Sequence, residues 1–186
     1  QTIEAEDALV VQELFFQNKW TDGLPVIPPT KDKIEAMLNA VPMDPQTIIG
    51  AIPERGCVFT LEVAAINSVM AGCLPEYFPV VVTAVSAISD PAFGLHGPSA
   101  STHGPAILII VNGPVAKSIG LNHGQNLFGP GVRANSTIGR AVRLILLNAG
   151  GTREFDRSTL GHGGKFSYCI AENETTEWLP LHVQKG

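Results

Sequence analysis

The sequence predicts an α+β (or α/β) fold in which helices dominate and surround a small buried sheet. Three observations carry this prediction. Apolar residues recur with helical spacing in several segments, two shorter segments have strand character, and no repeat or linker divides the 186 residues. We therefore expect a single domain over residues 1–186. The N-terminal arm, about residues 1–30, is a candidate for packing on a partner subunit.

The N-terminal region predicts two helices joined by an extended segment. Residues 4–18 are predicted to form the first helix, because their apolar residues recur at helical spacing and acidic residues occupy the first turn. Residues 20–30 (WTDGLPVIPPT) contain three prolines within five residues and must be extended or turning. Thr30 then caps a short second helix over residues 31–40.

Two further helices follow a short extended piece at residues 55–59. Thr60 is predicted to open the first of them, which Gly72 closes. Pro75 begins the next, over residues 76–88. Three consecutive valines favour a strand within that segment, but the apolar pattern continues too far for one, so a buried helix is predicted.

The C-terminal half predicts two strands and two helices. Residues 106–112 (AILIIVN) are apolar on both faces and predict a central strand, and residues 165–171 predict a second strand. Between them, residues 115–119 form a short helix. A long helix, capped by Asn135 or Ser136, then runs to residue 148.

Composition excludes some classes of function and favours others. The net charge of −5 and the lack of a basic cluster argue against nucleic-acid binding, and no apolar stretch is long enough to span a bilayer. Three cysteines without a CxxC pair fit a reducing cytoplasm better than a disulfide framework. Only 16% of the residues are charged, which predicts that another subunit or domain covers part of the surface, with a compact monomer as the alternative.

Four of the five histidines stand beside glycine: His96, His103, His123 and His162. Each pair brings a titratable ring and a backbone without Cβ to one place, so a ligand can approach closely. If the two strands are neighbours, these loops converge at the sheet edge. Convergence would favour an acid, a base or a substrate ligand among them, whereas single histidines are usually structural.

The same histidines also suggest a divalent metal as a lower-probability cofactor. His96, His103 and His123 are the candidate ligands, and Glu172 or Glu174 could add a carboxylate. No HExxH or HxH spacing supports this reading. The identity of any cofactor stays open.

A glycine-containing turn, residues 129–135 (GPGVRAN), leads into the long helix and predicts an anion site. Backbone N–H groups and the helix dipole attract an anion there, with Gly131 in the turn and the guanidinium of Arg133 beside it. The pattern is neither a P-loop nor GxGxxG. The alternative is a tight turn whose arginine neutralises an acidic neighbour.

A cysteine and a carboxylate complete the candidates. Cys73 lies between two predicted helices, where a thiol can have a lowered pKa and act as a nucleophile. Inert packing is the alternative for Cys73 and the stronger expectation for Cys57 and Cys169. Glu172 directly follows the second strand, a common position for a catalytic carboxylate, although an exposed acidic turn is an equal alternative.

Long phrases of the chain resemble a bacterial family. They are WTDGLPVIPPT, AAINSVMAGCLPEYFPVV, NGPVAKSIGLNHGQNLFGPGVRANSTIGRAVRLILLNAGG, STLGHGGKFSYCIAENE and WLPLHV. They are similar to the UGSC-type selenoprotein-associated family, whose members occur with or fused to a module bearing a (seleno)cysteine-Gly-Ser-Cys motif. This chain lacks that motif. The positions that match the family phrases include Asp22, Cys73, Glu76, His123, Asn126, Arg133, Asn135, His162 and Glu172.

Taken together with the cysteine content, the low charge and the predicted anion site, the resemblance predicts one subunit of a hetero-oligomeric, cytoplasmic enzyme that acts on a small, anionic organic molecule. In that reading Arg133 and the helix N-terminus hold the anion, while a partner's thiol or selenol supplies nucleophilic or redox chemistry at a C–S, C–N or C–halogen bond. The chain's own acid and base groups would be His123, His162 and Glu172. The side chains that orient the substrate would be Asn126 and Asn135.

Two alternatives stay open at this point: a self-contained metal-dependent hydrolase or lyase that uses the histidines, and a non-catalytic scaffold subunit. The sequence leaves open whether the reaction is that of a lyase, a hydrolase or an oxidoreductase.

Overall fold

The computed structural model describes residues 7–152, 157–174 and Val183. Helices dominate these residues and the strands form two small sheets, so the predicted α+β class is confirmed. The α-helices are α1 (Ala8–Gln17), α2 (Lys31–Leu38), α3 (Leu61–Ala71), α4 (Phe78–Ile88), α5 (His96–Ser99), α6 (Pro114–Ser118) and α7 (Arg133–Asn148). The strands are β1 (Ile48–Ile52), β2 (Cys57–Thr60), β3 (Ile109–Val111) and β4 (Cys169–Ala171).

The first two helices lie where the apolar spacing predicts them. α1 begins after Asp7, whose side chain accepts a hydrogen bond from the Leu9 amide at 2.8 Å. Residues 4–6, which the prediction included, lie outside the described residues. Thr30 occupies the N-cap position of α2, but its side chain accepts no hydrogen bond from the helix backbone.

The extended segment between α1 and α2 is held by the body of the chain. Asp22 forms an ion pair with Arg140 of α7, and the Ile27 amide donates to the carbonyl of Met70 in α3. The side chain of Asn148 donates to the Trp20 carbonyl at 2.9 Å. The described part of the arm therefore packs on its own chain, and its packing on a partner subunit stays a prediction.

A β-hairpin precedes the central helices. β1 pairs antiparallel with β2 through an irregularity between Ile48 and Gly50, and Gly56 turns the chain between the strands with φ of 63°. β2 was predicted as an extended piece, whereas β1 was missed. Its five residues contain a glycine and show no alternation of apolar and polar side chains.

The hydrophobic core lies between α3, α4 and α7. Thr60 caps α3 as predicted by accepting from the Val63 amide at 3.2 Å, and Gly72 ends it with φ of 92°. α3 packs most extensively on α7, and α4 also contacts both helices. A 3-10 turn at Pro75–Tyr77 leads directly into α4. The buried helix predicted for this segment is therefore confirmed.

β3 and β4 form a parallel pair that α6 and α7 connect. Both strands are shorter than predicted. Ile110 of β3 is 40% exposed, so the prediction that this strand is buried on both faces is wrong. Since α7 begins at Arg133 and its N-cap is Val132, the prediction that Asn135 or Ser136 caps it is also wrong, by three or four residues.

No helix within the described residues is both long and apolar enough to cross a membrane.

Candidate functional site

The carboxyl ends of β3 and β4 carry two glutamates, each bound to the neighbouring strand's end. The side-chain amide of Asn112 donates to Glu172 Oε2 at 3.1 Å. The backbone amide of Gly113 donates to Glu174 Oε2 at 2.7 Å. Glu172 thus lies where the sequence predicts a strand-end carboxylate, and a neutral amide is one of its partners.

Asn135 ties the start of α7 to this same end. Its Oδ1 accepts from the Asn122 amide at 2.8 Å and its Nδ2 donates to the Asn122 carbonyl at 3.2 Å. That carbonyl also accepts from the Ala171 amide of β4 at 3.1 Å. Asn135 is buried, and these contacts make it a bridge between α7 and β4. His123 follows Asn122 in the turn, with an exposed side chain.

The sequence predicts an anion site in the turn before α7. The side chains named for that site form hydrogen bonds with backbone carbonyls instead. Arg133 Nε and Nη2 both donate to the Gly72 carbonyl, at 3.0 and 2.9 Å, so this guanidinium caps the end of α3. Asn126 Nδ2 donates to the Pro130 carbonyl at 3.1 Å, and Gly131 has φ of 123°. These contacts favour the structural alternative for Arg133, although the neighbour is a carbonyl rather than an acidic side chain.

His162 lies on the opposite side of the parallel pair, before the strands begin. Its Nδ1 accepts from the Gly164 amide at 3.2 Å, and its Nε2 lies 2.9 Å from the Gly104 carbonyl. Both contacts are satisfied together by the neutral ring with its proton on Nε2. A Cβ at Gly104 would lie 2.2 Å from the Leu160 carbonyl oxygen, so glycine permits this close approach of the two loops.

The histidines therefore divide between the two ends, which the predicted group of His123, His162 and Glu172 did not anticipate. His96 begins α5, and its Nδ1 accepts from Arg55 Nε at 3.3 Å. No three His, Cys, Asp or Glu side chains among residues 7–152, 157–174 and 183 are grouped to hold a metal ion. The described residues therefore do not bring His96, His103 and His123 together as one ligand set, and a bound divalent metal stays a prediction.

Cys73 is buried against α7, where its thiol donates to the Thr137 carbonyl at 3.4 Å. Burial raises the pKa of this thiol to about 12, and the hydrogen bond and nearby arginines only partly oppose that rise. The expected lowering of the pKa is therefore wrong. Burial likewise raises the pKa of Cys169 to about 12, in agreement with a packing role.

A partly open cavity of about 270 Å³, called here the inner cavity, lies at the amino ends of β3 and β4. Three of the four histidine-containing segments border it: the first through Leu95, Pro98 and Ser99, the second through Pro105, and the third through Gly164 and Lys165. Its apolar walls include Phe93, Leu95, Ile107, Leu108, Val142 and Leu146. The polar groups of its lining include Ser99, Arg143, Lys165 and Tyr168.

Arg143 and Lys165 also line a second, more open cavity of about 380 Å³, the outer cavity, to which Lys19 contributes a third cationic residue. Sequence reasoning missed all three cations. One signal was available: α7 carries Arg133, Arg140 and Arg143 but no acidic residue. An arginine in a largely apolar helical stretch is often buried in part, and a buried arginine usually has an anionic or polar partner.

Comparison with family models finds none that matches the chain, and comparisons with curated proteins and with solved structures find no significant match.

Proposed function

We propose that this chain is the substrate-binding subunit of an enzyme that acts on a small organic anion. The observation that carries the proposal is the inner cavity, which combines apolar walls with Arg143 and Lys165. At about 270 Å³ it lies just below the roughly 300–1,000 Å³ typical of drug-sized sites, so its occupant is small.

The two parts of such a ligand would bind by different forces. Burial of an apolar body gains about 0.8 kcal/mol per CH₂ group before ordering costs. The planar guanidinium of Arg143 can hold a carboxylate through two parallel hydrogen bonds, and the ammonium of Lys165 adds a second positive charge. Lys165 also donates to Ser158 Oγ, a contact that directs its side chain.

The reacting group is proposed to come from a partner, as the resemblance implies. Cys73 is buried with a pKa of about 12, and Ser99 Oγ is already bound to Arg55 and to the Leu95 carbonyl. A partner's thiolate or selenolate would attack a carbon that bears sulfur, nitrogen or halogen. The new C–S or C–Se bond would form as the leaving group departs with the bonding electron pair.

An exposed apolar groove supports association with another subunit. It runs between α4 and β3, has a volume of about 460 Å³, and no charged side chain is among its lining residues. Phe93, Ile110 and Val115 contribute exposed apolar surface to it. Surfaces of this kind commonly become covered by a partner.

Calorimetric titration tests the binding half of the proposal. Hexanoate should bind to the wild-type chain at least tenfold more tightly than hexan-1-ol, because only the anion gains charge-assisted hydrogen bonds. Arg143→Gln should remove most of this preference. Arg133→Gln, which removes the same charge from the same helix, is the matched control and should keep it. Equal binding of alcohol and carboxylate, or equal loss in the two variants, would contradict the proposal.

Reconstitution tests the catalytic half. The purified chain, mixed with a protein bearing the (seleno)cysteine-Gly-Ser-Cys motif from the same genome, should turn over an organic anion that binds the inner cavity. Alanine at both His123 and His162 separates an enzyme subunit from a scaffold. Full activity of that double variant together with full activity of Arg143→Gln would leave only the scaffold reading.

A further inference from the structure

The β3–β4 pair has an open edge along β3. The Ile109 amide donates to the Tyr168 carbonyl and the Glu172 amide donates to the Val111 carbonyl, so Ile109 and Val111 form the ladder with β4. In a parallel ladder every second residue of a strand bonds to a given neighbour, so the N–H and C=O of Ile110 point to the other side. Neither group has a hydrogen-bond partner within the described residues.

The composition of β3 is typical of a strand that is covered on both faces, whereas the single chain leaves part of it open. Residues 106–112 contain no charged side chain and are apolar up to Asn112. Parallel strands occur almost only where both faces of the sheet are buried. Yet Ile110 is 40% exposed and Leu108 is 39% exposed. The single chain therefore leaves room for a further element at this edge.

The apolar groove between α4 and β3 can receive an uncharged strand. Thr83, Ala84 and Ala87 contribute small side chains from α4, and Phe93 contributes an exposed ring. No charged side chain is among the described lining residues, so a charged segment would lose hydration there without gaining a counter-charge. The unpaired backbone groups of Ile110 are matched by another extended backbone. Together these conditions select an uncharged β-strand.

The chain itself contains a strand that meets these conditions, which is β3. An uncharged surface can meet its own copy about a two-fold axis without apposing like charges. The net charge of −5 instead opposes self-association through surfaces that carry the acidic side chains. Antiparallel pairing centred on Ile110 would let the two copies of this residue exchange both N–H···O bonds.

We propose that a second copy of this chain covers the groove, with the two β3 strands paired antiparallel at Ile110 and each strand packed against α4 of the other copy. The two pairs then form one four-stranded sheet in the order β4–β3–β3–β4. This inference rests on the proposed function in one respect, since it names the subunit that covers the groove. It is independent of the ligand in the inner cavity.

Sedimentation velocity of the full chain tests the inference. At about 100 µM, well above the micromolar dissociation constants of weak interfaces of standard size, the wild type should sediment as a dimer of the 19.7-kDa chain. Ile110→Lys places two ammonium groups opposite each other and should weaken association at least about a hundredfold. Ile48→Lys is the matched control, because Ile48 is an exposed isoleucine on β1, outside the groove. It should leave the dimer intact, and circular dichroism should show that both variants are folded.

Hydrogen exchange at the Ile110 amide tests the strand pairing itself. Val115→Lys also places a charge in the groove but keeps Ile110, so it should give a folded monomer. The Ile110 amide should exchange at least about tenfold more slowly in the wild-type dimer than in this variant. A dimer in which the Ile110 amide exchanges as fast as in Val115→Lys would overturn the strand pairing.

Other results assign the groove to a different occupant. A dimer that persists in Ile110→Lys uses another surface and overturns the inference. A monomer whose Ile110 amide is protected covers the groove with another segment of its own chain, which also overturns it. If the wild type is a monomer and Ile110→Lys blocks assembly with the protein that bears the (seleno)cysteine-Gly-Ser-Cys motif, the groove belongs to that protein. The inference is then overturned while the proposed function stands.

Titration with hexanoate keeps the two proposals apart. Ile110 is not among the lining residues of the inner cavity, so Ile110→Lys should bind hexanoate within about threefold of the wild-type affinity. If hexanoate binds neither protein while the wild type is a dimer that Ile110→Lys dissociates, the binding half of the proposed function fails and the second-copy inference is supported.

Discussion

The two ends of the β3–β4 pair differ in charge and in how their polar groups are used. At the carboxyl ends, Glu172, Glu174 and three asparagines bond to one another and to nearby backbone. At the amino ends, Arg143 and Lys165 line the partly open, largely apolar inner cavity. Parallel sheets commonly hold their ligands at the carboxyl ends. In this chain the polar groups at the carboxyl ends join α7 to the strand ends, and the inner cavity, our proposed ligand site, lies at the other end.

This difference teaches that a polar residue in a loop does not by itself mark a site, because its hydrogen bonds can be made within the chain. Asn135 looks like a substrate-orienting residue in the sequence, yet both ends of its amide are bound to Asn122. His162 looks like an acid or base, yet both ring nitrogens contact backbone groups. The cavity is instead identified by its volume and by the cations in its wall.

The rate at which the cysteine thiols are modified is the property with the largest expected difference. A pKa raised from 9.0 to about 12 lowers the thiolate fraction of Cys73 about a thousandfold at neutral pH. We expect a disulfide reagent at pH 8 to modify partly exposed Cys57 first and to reach Cys73 and Cys169 only on unfolding. Cys57→Ser should remove the fast phase. Rapid modification of native Cys73 would restore it as a candidate nucleophile.

Removing the carboxylate of Asp22 should destabilise the packing of the N-terminal arm, which contains Lys19, on the rest of the chain. The Asp22 side chain is 3% exposed and pairs with Arg140, so Asp22→Ala leaves a largely buried guanidinium without its carboxylate. We expect a loss of about 3–5 kcal/mol in the free energy of unfolding, measured with urea. Arg133→Ala, which breaks a contact with a carbonyl at the protein surface, should cost much less. Equal losses would contradict this ranking.

The same ion pair predicts a pH dependence. Burial raises the pKa of Asp22, but the hydrogen bond and the charge of Arg140 lower this pKa by more than burial raises it. The folded-state pKa therefore lies below 3.8. A lowered folded-state pKa stabilises the fold at pH values above the unfolded-state pKa of about 3.9, and the stabilisation disappears as the pH falls through the folded-state value. Urea titrations between pH 7 and pH 2 should therefore show a shallower acid-side loss in Asp22→Asn than in the wild type. A parallel loss in both proteins would show that Asp22 is not responsible.

Asn135→Ala tests the carboxyl end directly. The substitution removes two hydrogen bonds to Asn122 in a buried place and should cost about 2–3 kcal/mol of unfolding free energy. At temperatures where the variant is folded, its affinity for hexanoate should match that of the wild type. Loss of binding without loss of stability would return the ligand site to this end.

The smallest expected effect compares one histidine at each end. His162→Ala removes the link between the two loops and should cost about 1 kcal/mol, with faster hydrogen exchange at the Gly164 amide. His123→Ala, at an exposed position, should leave stability within about 0.5 kcal/mol of wild type. If His123→Ala were the more destabilising variant, His123 would make a structural contact at the carboxyl end, in addition to the hydrogen bonds between Asn122 and Asn135.

Several elements could be predicted because their signals are local. α3 was predicted to the residue, since Thr60 caps its start and Gly72 supplies the left-handed turn at its end. β1 could not be predicted, because five residues with an internal glycine become a strand only when β2 pairs with them. β3 is shorter than its apolar sequence, because the hydrogen bonds to β4 rather than the composition set its length.

The sequence by itself determined the fold class and most helices, because capping, periodicity and turn chemistry depend on neighbouring residues. Only the tertiary structure decided which neighbours each side chain contacts and where space remains. Arg133 and Arg143 lie on one helix and look alike in the sequence. The first is bound to the Gly72 carbonyl and the second lines both cavities, because packing places them against different neighbours.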